Sequence, residues 1–194
     1  MDIFGYHALS CGGIGNTRTA RHNTLVCSLV QLARQAGFQA TKDPSIRLPW
    51  KDSLDREVIL RPADLSISGD NNQSTCIDVT IVFNLSPSYI GTSAKPGKCV
   101  AAAAKEKIKK HEAACLHYHY DFTPFAVDVC GVHDEAAIEL IQRLATSYQA
   151  TSSKPFSMCL SICNRRVSFA IQVAVANQLM VHIYNSRWLL ESVI

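Results

Sequence analysis

The sequence predicts an α/β protein whose core runs α-β-β-β-α-β, a central mixed sheet flanked by helices, with extra C-terminal helices. Three observations carry this. Segments rich in β-branched residues cluster between positions 60 and 83. Long segments with helical spacing stand before and after them. The polar stretch GDNNQS at 69–74 separates two of the strands as a hairpin turn would. Helices layered on a sheet are how such elements bury their apolar faces.

Taken in order, residues 1–20 hold G-G-I-G among Asn, Thr and Ser and read as a flexible lead-in. Residues 21–194 read as one domain. From Asn23 to Ala36 apolar residues fall at Leu25, Leu29, Leu32, Ala33 and Ala36, which is helical spacing, and Gly37 ends the run. FQATKD at 38–43 alternates like a short strand. Residues 44–60, with two prolines and mixed charge, read as loop or hairpin. Ala63, Leu65 and Ile67 alternate after Pro62, and TCIDVTIVF follows at 75–83; these are two strands. AAAAKEKIKKHEAACLH at 101–117 is a helix by propensity. HYDFTPFAVDVCG reads as a buried strand, and DEAAIELIQRLATSYQ as an amphipathic helix with acidic residues in its first turn. The apolar stretch to residue 190 reads as helix, preceded by a shorter helix at 155–163. A helical crossover joining two parallel strands would be right-handed.

Composition bounds the function. The chain has 194 residues, enough for one domain with a hydrophobic core. With 47% apolar and 18% charged residues it is not a disordered chain. Its purely apolar runs fall far short of the roughly 20 residues of a membrane helix, so no membrane partner is expected. The first residues lack a basic segment followed by an apolar one, so a secretory signal is not expected. A net charge of +3 is mildly basic and does not by itself imply nucleic acid. Eight cysteines sit mostly in apolar runs with no C-x-x-C pair, which suits a reducing, intracellular setting. His7, Cys11, His22 and Cys27 offer donor types for zinc, with a knuckle-like spacing of His7 and Cys11, but the matching upstream cysteine pair is missing.

Two carboxylates stand in unusual places. Asp64 opens one strand in R-P-A-D, and Asp78 lies inside the next, between Ile77 and Val79. A buried ionised carboxylate is costly unless a charge or metal compensates it. An antiparallel pair of strands brings both acids to one edge, where with a backbone carbonyl they form a hard-oxygen site suited to Mg²⁺. The plainer reading has Asp64 cap a strand or pair with Arg61, and Asp78 pair with a lysine. The following helix carries Lys105, Lys107, Lys109 and Lys110. Lys107 and Lys110, three apart, share a face and can offset charge on a phosphate.

These residues, in this order, resemble the PD-(D/E)XK restriction-like nucleases. More narrowly, the chain resembles the restriction-like endonuclease domain at the C-terminal end of some non-LTR retrotransposon polyproteins. The resemblance runs through H-A-L-S-C at 7–11, R-H-N at 21–23, A-G-F at 36–38 and R-P-A-D at 61–64. It continues with D-V-T at 78–80, K-x-x-K-H at 107–111 and F-T-P-F at 122–125. It implies a DNA endonuclease that uses Mg²⁺ or Mn²⁺ to hydrolyse phosphodiester bonds. Asp64 and Asp78 would be the metal carboxylates, with the Val79 carbonyl beside them. The family's usual lysine position, two after Asp78, holds Thr80 here, so the resemblance implies a displaced lysine, Lys107 or Lys110. It further suggests Asp43 as an additional acid, Asp128 as a supporting or structural acid, and His22 and Asn23 at the edge of the site. Arg18, Arg21, Lys105 and Lys109 would face DNA. DNA is thus the expected partner, homodimerisation is open, and the expected location is intracellular, the nucleus included. The alternative is a catalytically inactive relative that binds nucleic acid or a protein partner.

Overall fold

The structure, a computed structural model, describes residues 8–9, 17–52, 54–69, 73–84 and 97–191, with side chains described as far as residue 184. Helix α1 (Thr17–Gln35) is followed by β1 (Gln39–Lys42), β2 (Leu48–Lys51), β3 (Glu57–Leu60), β4 (Leu65–Ser68) and β5 (Ser74–Val82). Then come α2 (Lys98–His117), β6 (Asp121–Asp128), α3 (Glu135–Thr151) and α4 (Phe156–Glu191). The fold is α/β, with a mixed four-stranded sheet in the order β1-β4-β5-β6 flanked by helices.

The first strands are antiparallel, and β5 and β6 are parallel, with α2 as their connection. Helices cover both faces. Ile77 and Val79 of β5 and Phe125 and Val127 of β6 pack with Leu25, Leu29 and Leu32 of α1 and with buried residues of α3 and α4. The alternate positions of the same strands face α2, where Val82 and Ala126 meet Cys99, Val100, Ala103 and Ala104. Cys76 meets Ala114 and Cys115 there, under the β2–β3 hairpin. Because side chains alternate along a strand, Asp78 falls on the α2 face and Ile77 and Val79 on the other. The small residues of α2 let the helix lie close to the sheet, which brings its polar side chains within reach of β5.

Gly37 follows α1 with φ 91°, a left-handed conformation that lets the chain turn directly into β1. Residues 44–60, expected as loop or hairpin, form the antiparallel pair β2–β3. Two boundaries differ from the sequence reading. α1 begins at Thr17 rather than Asn23, so residues 17–20 are helix and not lead-in; residues 1–7 and 10–16 lie outside the described residues. The C-terminal segment is one helix with no break after residue 163. Cys159, Cys163, Val167, Ala170, Ile171 and Ala174 are buried along one face, and the polar run Asn164–Arg166 falls on the solvent side, so polarity there does not interrupt the helix. Within α4, Phe156–Tyr184 is long and apolar enough, by length and composition, to cross a membrane; 33% of its most apolar window is buried against the rest of the protein.

Seven cysteines lie among the described residues and all are free thiols, five of them buried.

Candidate active site

Asp64 sits one residue before β4. In the β4–β5 register Leu65 pairs with Ile77 and Ser66 with Cys76; Asp64 and Asp78 each lie one residue beyond the Leu65–Ile77 pair, at the open end of the ladder. Asp78, which meets Lys107, stands on the α2 side, whereas Asp64 at the strand edge reaches His22 of α1. The Asp64 main chain secures this corner: its N–H donates to Ile77 O (2.9 Å), and its carbonyl accepts from Asp43 N–H (2.8 Å). β5 continues past the start of β4. There the Asp64 side chain takes the place of a strand partner, its Oδ2 accepting the Val79 N–H at 2.7 Å. The N–H and carbonyl of one strand residue point to the same side, so the Val79 carbonyl also faces Asp64.

Two basic side chains from different helices complete the cluster. His22 of α1 approaches Asp64 Oδ2 through Nε2 at 3.0 Å. Lys107 of α2 donates from Nζ to Asp78 Oδ1 at 2.9 Å. His111, one turn further along α2, is buried with Nε2 3.5 Å from Asp78 Oδ2, and its Nδ1 has no hydrogen-bond partner. Its ring sits against Phe122, with centroids 5.8 Å apart.

The ionisation follows from these contacts. Burial pushes the Asp78 carboxyl up, the Lys107 ammonium offsets part of this, and the Asp64 carboxylate raises it again, leaving a pKa of about 6. For Asp64 burial also acts upward, but the His22 hydrogen bond and charge, the Val79 N–H and Lys107 outweigh it and hold the carboxyl below its ordinary value. The Asp64 hydrogen bond holds His22 protonated to higher pH than usual, against the opposing effect of burial; Asn23 adds a smaller contribution in the same direction. Burial first, then the charges of Lys110 and Lys107, drives His111 down to about 4. His111 is therefore neutral near pH 7, and its approach to Asp78 is a polar contact rather than an ion pair.

The other anticipated residues are distributed differently. Lys110 is exposed, and it is Lys107 that meets Asp78. Lys105 and Lys109 are exposed too, but at about 100° per residue they lie on the far side of α2 from Lys107, so the four lysines do not form one surface. Asp43 touches the site only through its main chain; its carboxylate is exposed and lies 3.7 Å from Lys42. Asp128 is buried away from the pair, where Oδ1 accepts the N–H groups of Cys130 and Val132 at 2.8 Å each and shapes the turn after β6. Arg21, expected to face DNA, is buried. Its guanidinium donates to Gln178 Oε1 (2.9 Å) and to the carbonyls of Ile81 and Leu9 (3.4 Å each), tying α1 to α4 and β5. Arg18 is exposed. Of the zinc-type donors, His22 is engaged with Asp64, Cys27 is exposed, and His7 and Cys11 lie outside the described residues.

The sequence reading gave His111 no role. Its signal was the spacing, four residues after Lys107, which puts both on one helix face.

Among the described residues, no group of three or more His, Cys, Asp and Glu side chains is gathered as a metal site. The donors that fit a hard cation are oxygens: one carboxylate each from Asp64 and Asp78, and the Val79 carbonyl. Mg²⁺ needs few protein ligands because it keeps several waters. A scan against protein-family models and a search of curated proteins give no match to this chain.

Proposed function

We propose that the chain is a metal-dependent DNA endonuclease of the PD-(D/E)XK type, of the kind carried by non-LTR retrotransposon polyproteins. The observation that carries this reading is the convergence of two carboxylates, Asp64 and Asp78, with Lys107 at the open end of a short strand pair, where a plain ion pair would need only one acid. Two neighbouring carboxylates repel each other, as the upward effect of Asp64 on the Asp78 carboxyl shows, and a bound cation would relieve that repulsion. Asp64, Asp78 and the Val79 carbonyl would hold Mg²⁺ or Mn²⁺. Such an ion stabilises charge on a phosphoryl oxygen and lowers the pKa of bound water. Lys107 supplies positive charge where a cleaved phosphate develops negative charge. It reaches Asp78 from the following helix and thereby stands in for the lysine that Thr80 does not provide. His22 orients Asp64, and His111 borders Asp78 as a neutral ring.

A second reading, a nuclease-fold module that binds DNA or a protein partner without cutting, is favoured by one observation. Asp64 Oδ2 is already taken by His22 and Val79, and Asp78 Oδ1 by Lys107. Nicking of supercoiled plasmid with Mg²⁺ or Mn²⁺ separates the two. The endonuclease nicks and its Asp78→Ala variant does not. Wild-type protein that binds DNA but leaves it intact supports the second reading.

A further inference from the structure

A cleft lies beside the carboxylate pair, where the end of β5 runs beyond β4 and the N-terminal turns of α1 cross it. It has a volume of about 430 Å³ and is lined by Arg18, Thr19, Arg21, His22, Val79, Thr80 and Ile81. Arg18, Arg21 and His22 are spaced i, i+3 and i+4 and so share one face of α1. None of the seven lining residues is acidic, and Asp64, the carboxylate next to His22, is already paired with it.

Two lining side chains carry buried polar atoms with no hydrogen-bond partner, Arg21 Nε and Thr80 Oγ1. Unsatisfied buried donors are uncommon in native proteins and point to an absent partner. Arg21 is itself 97% buried, with 3% of its surface exposed. The Arg18 charge adds to burial in lowering the Arg21 pKa to about 10, so the two guanidinium groups act on each other across this region. An anion between them would relieve that repulsion. The first amides of α1 add positive potential at the same end.

We propose that this cleft is a phosphate-oxyanion pocket, adjoining the carboxylate pair, with Arg18 as its accessible ligand and the buried Arg21 as its fixed positive wall. The inference rests on the nuclease reading for its purpose: a phosphate seated here would adjoin the phosphodiester at Asp64 and Asp78 and set the position of the strand. Guanidinium groups suit this ligand because their planar N–H fork matches phosphate oxygens. The chemistry is shared by an internal backbone phosphate and a terminal phosphate monoester.

The probe is inorganic phosphate, titrated by calorimetry into the full chain with a chelator present. Phosphate should bind wild type and bind Asp78→Ala no more weakly, while Arg18→Ala weakens binding at least fivefold and Arg18→Lys recovers part of it. Arg18 is exposed, so these variants fold. Equal binding by Arg18→Ala and wild type, or no binding by wild type at tens of millimolar phosphate, overturns the proposal. Short duplexes with 5′-phosphate or 5′-hydroxyl ends then distinguish the source. A 5′-phosphate preference lost in Arg18→Ala marks a terminal phosphate. Equal affinity for both duplexes, reduced alike by Arg18→Ala, marks an internal one. Duplex binding that Arg18→Ala leaves unchanged overturns the pocket. Chelated protein does not depend on metal chemistry, so a failure to nick plasmid leaves the phosphate result standing. A failure to bind phosphate likewise leaves metal-dependent nicking standing.

Discussion

The substitution Asp78→Asn removes the charge of the buried carboxylate while keeping its shape. In wild-type protein the Asp78 carboxyl moves from 3.8 to about 6 on folding. The native state therefore holds this proton more tightly than the unfolded chain does. The group's contribution to stability is fully present below pH 3.8 and is lost as pH rises through about 6. The difference between the two values corresponds to roughly 3 kcal/mol. Asparagine cannot ionise, so the variant escapes this loss. Lys107 loses its anionic partner but keeps an amide oxygen as acceptor, and at 31% exposed it can also turn its ammonium to water, which keeps the cost small. Urea denaturation of both proteins at pH 4, 5, 6 and 7.5, in chelating buffer, measures the effect. The stability of Asp78→Asn relative to wild type should rise by roughly 2.5 kcal/mol between pH 4 and 7.5, and the variant should be inactive. A difference that stays flat with pH would refute the argument, because it would mean that Asp78 is not held charged in a desolvated site.

Two further outcomes follow from the same contacts. Lys107→Ala should lower single-turnover cleavage at least tenfold, about 1.4 kcal/mol of transition-state stabilisation, whereas Lys110→Ala, which alters an exposed side chain, should cut within about twofold of wild type; equal loss in both would show that the helix face and not the Asp78 contact matters. Asp128→Ala leaves the Cys130 and Val132 N–H groups without their acceptor and should destabilise the fold by about 2–4 kcal/mol in thermal or urea unfolding, with phosphate binding at the α1 cleft unchanged in the folded fraction.

The site was legible in the sequence to the extent that it depended on local pattern. Asp64 and Asp78 stood out because an acid inside Cys-Ile-Asp-Val-Thr breaks an apolar strand, and the turn at 69–73 is short enough to make the two strands neighbours. Lys107 was readable as one of two lysines on a helix face. The choice between Lys107 and Lys110 was not, since it depends on how α2 is rotated over β5. That rotation is set by Ala103, Ala104, Ala114 and Cys115 packing on the sheet. Arg21 shows the opposite failure. A basic residue near a helix N-terminus reads as a surface cation, and only the approach of α4 and its Gln178 turns it into a buried structural donor.

The sequence by itself determined the α/β class, the order of the core elements and the antiparallel pairing of the two acid-bearing strands, because these follow from periodicity, turn residues and strand length. It also determined that Asp78 needs a compensating charge, because an isolated carboxylate cannot be buried cheaply. Tertiary structure decided which partners each acid receives. His22 reaches Asp64 across 42 residues and Lys107 reaches Asp78 across 29. Such contacts arise from the docking of α1 and α2 against the sheet, and no local pattern encodes the docking angle. The same docking places Asp128 at the end of β6, against the turn that follows, Lys105 and Lys109 on the outer face of α2, and Arg18 at the mouth of a cleft that only the folded chain creates.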